Sequence, residues 1–336
     1  MFGIIPAKVL GELTTCLHSN GLGKELWQYF DVIAGNSTGS IIAAGLVTKV
    51  KSTPPLALTA DELVRIYQED ATKIFNIKYG TTTKKVLSIL LTRSLYDNED
   101  RLKVISSHLG NKTSKEALTN FVIPFYDLVA GPVFFSRDHG AHERTFEGSN
   151  TEFSEKKYAY MTDLVMYSSA APIYFNPYKG REVSSSNDLR GRRLPGYIAY
   201  DGALYQNNPT LLAIMEARRD HPNASLHVLS LGDGISYRSA LLGAIDWHAP
   251  KNNLHSLALV PAFMESASRA VDEYLRSDPR IDYTRIDGPI PSGTSLSMDD
   301  GSEDHMAKLQ NIADNVVRSA SAEIAGVCKV LHATKD

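Results

Sequence analysis

The chain has 336 residues, is 43% hydrophobic and 22% charged, and carries a formal net charge of −3. That balance suits a globular chain able to bury a large core, and it excludes the cationic footprint of a nucleic-acid binder. No apolar run reaches the ~20 residues of a membrane span, and Lys8 interrupts the short run at residues 4–10, so the chain reads as cytoplasmic with no transmembrane segment.

The first element is a helix over residues 4–17, with Pro6 suited to its first turn and no strand before it. Cys16 in this pattern and Cys328 in a later one are the two cysteines. Both read as buried free thiols in a reducing compartment rather than as a disulfide framework. Gly21-Leu22-Gly23 breaks the helix, and Val32-Ile33-Ala34 is a short β-prone run.

Directly after it comes Gly35-Asn36-Ser37-Thr38-Gly39, then an apolar helix at residues 41–47. A serine in a tight turn between strand and helix projects its oxygen clear of the backbone, and flanking glycines leave room for close approach. Ser37 is therefore the candidate nucleophile. The competing reading is a glycine-rich turn without chemistry.

Residues 56–75 and 83–109 carry apolar positions three and four apart and read as helical cover. Residues 121–129 and 132–136 read as two strands joined by a hairpin around Ala130-Gly131. The segment Ser168-Ser169-Ala170-Ala171-Pro172 has side chains small enough for tight packing. Tyr126, Tyr174 and Phe175 are read as core rather than as lining of an acyl pocket. Residues 179–195 turn polar and read as a mobile surface loop, with Arg190, Arg192 and Arg193 as soluble surface rather than contacts to lipid head groups.

A strand at 197–200 delivers Asp201-Gly202-Ala203, and Asn208 with Pro209 starts the next helix. The buried strand at 226–231 closes on Gly232-Asp233-Gly234. One long final helix is marked by Leu309, Ile312, Ala313, Val316 and Val317. The acidic run 299–304 misses the spacing of a calcium loop and reads as a solvated turn capping that helix. Alternating strands and helices with no dividing linker argue for a single three-layer α/β/α domain around a mostly parallel sheet.

A serine hydroxyl needs a base. Asp201 and Asp233 both end apolar strands, where reacting groups gather on an α/β sheet, and position alone does not choose between them. A serine-aspartate-histidine triad is the chemical rival, since His221, His227, His248, His255, His305 and His332 all lie downstream.

Gly3-Ile4-Ile5-Pro6, residues 30–39, Pro132-Val133-Phe134-Phe135, residues 169–175, Asp201-Gly202-Ala203 with Asn207-Asn208-Pro209, and Leu229-Ser230-Leu231-Gly232 together resemble the patatin-like phospholipase family in order and spacing. The resemblance implies a lipid acyl hydrolase with Ser37 as nucleophile, Asp201 as general base and no histidine. It also implies an elbow bounded by Gly35 and Gly39, Gly202 in the aspartate motif, and an oxyanion site from the N–H groups of Thr38 and Gly3. No metal or cofactor is expected. The implied substrate is a phospholipid or galactolipid at a membrane or micelle surface.

The chain departs from the family pattern at four places. Asn36 and Asp233 stand where threonine is usual, and Ser40 where glycine is common. Of the glycine-rich loop expected before Ile4, only Gly3 is present. The domain is thus expected to be truncated at its start, without its first strand and with most of its oxyanion donors missing. A protein that binds lipid or a partner without catalysis is the second rival.

Overall fold

The strand Asn120–Asp127 (β2) organises the molecule, because each of its two edges and two faces has a different partner. In this computed structural model residues 1–75, 94–143, 158–172, 174–181, 196–235, 255–291, 294 and 299–333 are described. The expectations for residues 83–93, the surface loop at 182–195 and His248 lie outside them.

One edge of β2 pairs antiparallel with Gly131–Ser136 (β3), which in turn pairs antiparallel with Gly140–Glu143 (β4). The other edge is shared. Val32–Ala34 (β1) runs parallel to β2 from Asn120 to Val122, and Ile198–Asp201 (β6) runs antiparallel to it from Phe125 to Asp127. Tyr178–Lys179 (β5) extends the sheet beyond β6. Pro124, which has no N–H to donate, falls between the end of the β1 register and the start of the β6 register.

The fold is α/β, with a mixed sheet rather than a mostly parallel one. β1 with β2 is a parallel pair, and so is Leu226–Leu231 (β7) with Ile281–Ile286 (β8) in a separate two-stranded sheet. β2, β3 and β4 are antiparallel because tight turns join them, and only antiparallel strands accept such turns. Asp127 locks the first turn: its carboxylate accepts the N–H groups of Val129 and Ala130, and that of Ile198 from β6.

Alternation along β2 sends its side chains to helices on both faces. Phe121, Ile123 and Phe125 pack against Thr38–Val47 (α2), Asn98–Leu109 (α5) and Met161–Ser168 (α6). Val122, with Phe134 of β3, packs against Leu212 of Thr210–Asp220 (α8), which follows the short helix Ala203–Gln206 (α7). This is the layered arrangement that the alternation of elements predicts.

A second core forms around Ile4–Ser19 (α1), whose Ile4 and Ile5 are fully buried. It gathers Ala60–Glu69 (α3), Glu303–Ser319 (α10) and Ser321–Ala333 (α11). α2 joins the cores, since Ile42 and Leu46 face this one while Ala44 and Val47 face the sheet. The short helix Ala71–Ile74 (α4) follows α3, and His255–Ser277 (α9) precedes β8.

Several expectations are corrected. Cys16 and Cys328 are joined in a disulfide between α1 and α11, which removes the basis for expecting free thiols and a reducing compartment. The long final helix is two helices, broken at Ala320. Ser302 caps α10 as expected, but Asp299 is buried and accepts a hydrogen bond from Tyr96, so it is not part of a solvated turn. Tyr174 and Phe175 pack on Tyr96 as core aromatics. Pro209, not Asn208, is the N-cap of α8; Asn208 stands one residue earlier, and its side-chain oxygen accepts the N–H of Thr210. No helix among the described residues is long and apolar enough to cross a membrane.

Candidate active site

Ser37 stands between β1 and α2 with φ 52° and ψ −122°, the single non-glycine residue among those described with a positive φ. Such a backbone costs about 1–3 kcal/mol and persists only where its surroundings impose it. Here they do. The Ser37 N–H donates to Ser168 Oγ at 3.1 Å, and the Ser37 carbonyl accepts the Ser40 hydroxyl at 2.6 Å. A methyl group on Gly35 would lie 2.1 Å from the Gly39 carbonyl oxygen, so only glycine permits this crossing. A methyl on Gly39 would meet nothing within 4 Å, which corrects the expectation that both flanking glycines serve close approach.

Asp201 ends β6 opposite Phe125, at the level where the chain turns from β1 into the elbow. Ser37 Oγ donates to Asp201 Oδ2 at 2.7 Å. The other carboxylate oxygen accepts the Ala203 N–H at 2.9 Å. Asp201 is only 3% exposed, and burial pushes its carboxyl up to about 6 against the hydrogen bonds from Ser37 and Ala203 and the charge of Arg101. A carboxylate raised this far is a stronger base than an exposed aspartate.

The loop after α6 holds both halves of the pair. Ser168 accepts the Ser37 N–H through its hydroxyl and the Gly202 N–H through its carbonyl, while the Ala170 carbonyl accepts the Asp201 N–H. Gly202 is required, because a methyl there would sit 2.2 Å from the Pro124 carbonyl oxygen and 2.4 Å from Asn36 Oδ1. The sequence showed Ser168 only as one small residue among several, and nothing in its type distinguished it.

Gly3 packs against the elbow. A methyl on it would lie 2.5 Å from Thr38 Oγ1 and from the Tyr67 ring, and the Tyr67 hydroxyl donates to the Thr38 carbonyl at 2.7 Å. Neither the Gly3 N–H nor the Thr38 N–H makes a hydrogen bond within the described residues. The structure thus brings together Ser37, Asp201, Gly35, Gly39 and Gly202, with Gly3 beside Thr38.

Asp233, the alternative carboxylate, makes no hydrogen bond to Ser37. Burial and Asp287 raise it, opposed by the charge of Arg285. Among the described residues no imidazole bonds to Ser37 or Asp201. His227 pairs with Asp282 at 2.8 Å on the far sheet, His305 is buried beside Phe2, and His221 and His332 lie at the ends of α8 and α11.

Comparison with known proteins agrees with this architecture. The family model described as patatin-like phospholipase matches residues 1–214. Patatin-like protein 2 of Arabidopsis thaliana is 30% identical, the alignment covering 96% of this chain and 81% of that protein. Patatin-17 of Solanum cardiophyllum is 28% identical over 96% of this chain and 82% of its own length, and Patatin-16 of Solanum tuberosum 27% identical over 94% and 81%. With its elbow, its aspartate-glycine turn and the matched family model, the chain belongs to the patatin-like phospholipase family.

Proposed function

We propose that this chain hydrolyses lipid acyl esters with Ser37 and Asp201 alone, in a single domain. The observation that carries this reading is the 2.7 Å hydrogen bond from the serine hydroxyl to a carboxylate buried deeply enough to be raised to about 6. Ser37 Oγ attacks the ester carbonyl carbon while its proton passes to Asp201 Oδ2. The tetrahedral intermediate collapses, the proton moves from Asp201 to the departing alkoxide, and an acyl-serine remains. Water then attacks this ester, gives its proton to Asp201, and releases the fatty acid as Ser37 recovers its hydrogen.

The developing oxyanion needs donors, and the Thr38 N–H at the first turn of α2 is the first of them. The Gly3 N–H is the second. The substrate class is a phospholipid or galactolipid presented at a membrane or micelle surface, met by a protein that approaches from the aqueous side. Hydrolysis of a chromogenic short-chain ester tests the reading, with Ser37→Ala and Asp201→Asn alongside. The expected result is loss of about 10³-fold or more in kcat for each. Equal activity in the parent chain and Ser37→Ala would leave only a binding role.

A further inference from the structure

Outside the dyad, α5 carries a buried cation. Arg101 is 2% exposed, yet among the described residues its hydrogen-bond partners include no carboxylate. Its guanidinium donates instead to neutral groups: the carbonyl and hydroxyl of Ser169, the carbonyl of Met166 at 3.1 Å, and Asn98 Oδ1 at 2.8 Å. The ring of Phe175 lies 4.3 Å from its central carbon, and its Nε has no partner. A cation removed from water costs several kcal/mol unless something nearby uses the charge.

We propose that Arg101 is a positioning residue of the hydrolase site, which fixes the loop after α6 under the dyad and biases Asp201 toward its ionised, proton-accepting form. The proposal rests on the dyad reading above. Its geometry is direct. The residue whose carbonyl and hydroxyl Arg101 grips, Ser169, stands between Ser168, which receives the Ser37 and Gly202 N–H groups, and Ala170, which receives that of Asp201. One guanidinium thereby braces both the elbow and the strand end that carries the base.

Electrostatics supports the same assignment. The groups that act on Asp201 are the Ser37 hydroxyl, the Ala203 N–H and the Arg101 charge, each favouring the carboxylate against its burial. The groups that act on Arg101 are Asp201 and Tyr178 of β5. Tyr178 is held above its ordinary value by burial and by Asp163, so it stays neutral, and Asp201 is the negative partner of this buried charge. Desolvation draws Arg101 itself down to about 9, which leaves it protonated over the range in which an ester hydrolase is assayed.

The test is the pH profile of kcat/KM on a chromogenic ester for the parent chain, Arg101→Met, Arg101→Lys and Asn98→Asp, with Asp201→Asn as control. Asn98→Asp sets a carboxylate against the guanidinium at the first residue of a helix, where an acidic side chain is tolerated, and so cancels the charge without emptying the site. Arg101→Met and Asn98→Asp are expected to move the acid limb about half a pH unit or more upward. Arg101→Lys, with its charge kept, is expected to hold the parent's limb even where kcat falls. Limbs of Arg101→Met and Asn98→Asp that coincide with the parent's overturn the proposal, and if Arg101→Met does not fold, Asn98→Asp decides. Full activity in Asp201→Asn would instead overturn the dyad, a result distinct from an unmoved limb in an enzyme that needs Asp201.

Discussion

Two buried carboxylates lie near opposite ends of β2, and they have been treated in opposite ways. Asp201, beside Phe125, has the Ser37 hydroxyl and the Ala203 N–H as its hydrogen-bond donors and is raised to about 6. Glu216 of α8, fully buried, reaches Asn120 at the start of the same strand at 3.2 Å and His139 at 2.8 Å. Burial would raise Glu216 too, but hydrogen bonds from His139, Ser136 and Asn120 more than reverse it, and its carboxyl ends below the ordinary glutamate range. Where donors outweigh burial, as at Glu216, the buried acid stays ionised and ties elements together; where burial outweighs the donors, as at Asp201, it keeps an appetite for a proton.

That contrast is sharpest in catalysis. Asp201→Asn is expected to lower kcat by about 10³-fold or more, while Glu216→Gln changes it less than about threefold per folded molecule, as steady-state assays on matched samples would show. Comparable losses from both would erase the distinction. In stability the order reverses. Glu216→Ala strands His139 and Asn120 around an emptied site and is expected to cost about 3–5 kcal/mol in urea unfolding.

Asp201→Asn should stabilise. A carboxyl whose folded value lies above its unfolded one binds protons preferentially in the native state, so its favourable contribution is present at low pH and lost as pH rises through about 6. At pH 8 the neutral variant is therefore expected to exceed the parent by about 1–3 kcal/mol, with the gap closing below pH 4. A gap independent of pH would place its origin elsewhere. The smallest effect is expected at Ser40, whose hydroxyl holds the Ser37 carbonyl at 2.6 Å: Ser40→Ala should cost about 1 kcal/mol and a modest part of kcat.

The proposed nucleophile was legible in local sequence, since a strand, a glycine-flanked serine and an apolar helix are consecutive. The proposed base was not. Asp201 and Asp233 are both strand-end aspartates before glycine, and what separates them is the register of β6 on β2, which sets Asp201 opposite Phe125 and which no local pattern marks; only the family resemblance chose between them. Arg101 left a signal that went unread: it stands in phase with Val104, Ile105 and Leu109 on the buried face of α5, where a charged residue has no ordinary reason to be. The strand β8 alternates apolar and polar residues and was equally available. The break at Ala320 has neither glycine nor proline to mark it, so tertiary packing alone decides it.

The shared outer edge of β2 makes the enzyme's chemistry a late event in its own assembly. Neither half docks locally: Val32 of β1 reaches Asn120 and Asp201 of β6 reaches Phe125, so Ser37 and Asp201, 164 residues apart in sequence, meet only when both strands have taken their places on either side of Pro124. Closing so long a loop is slow compared with forming helices. During refolding, recovered ester turnover should therefore lag behind recovered helical signal, and the enzyme's own product becomes the clock for the last strand to settle.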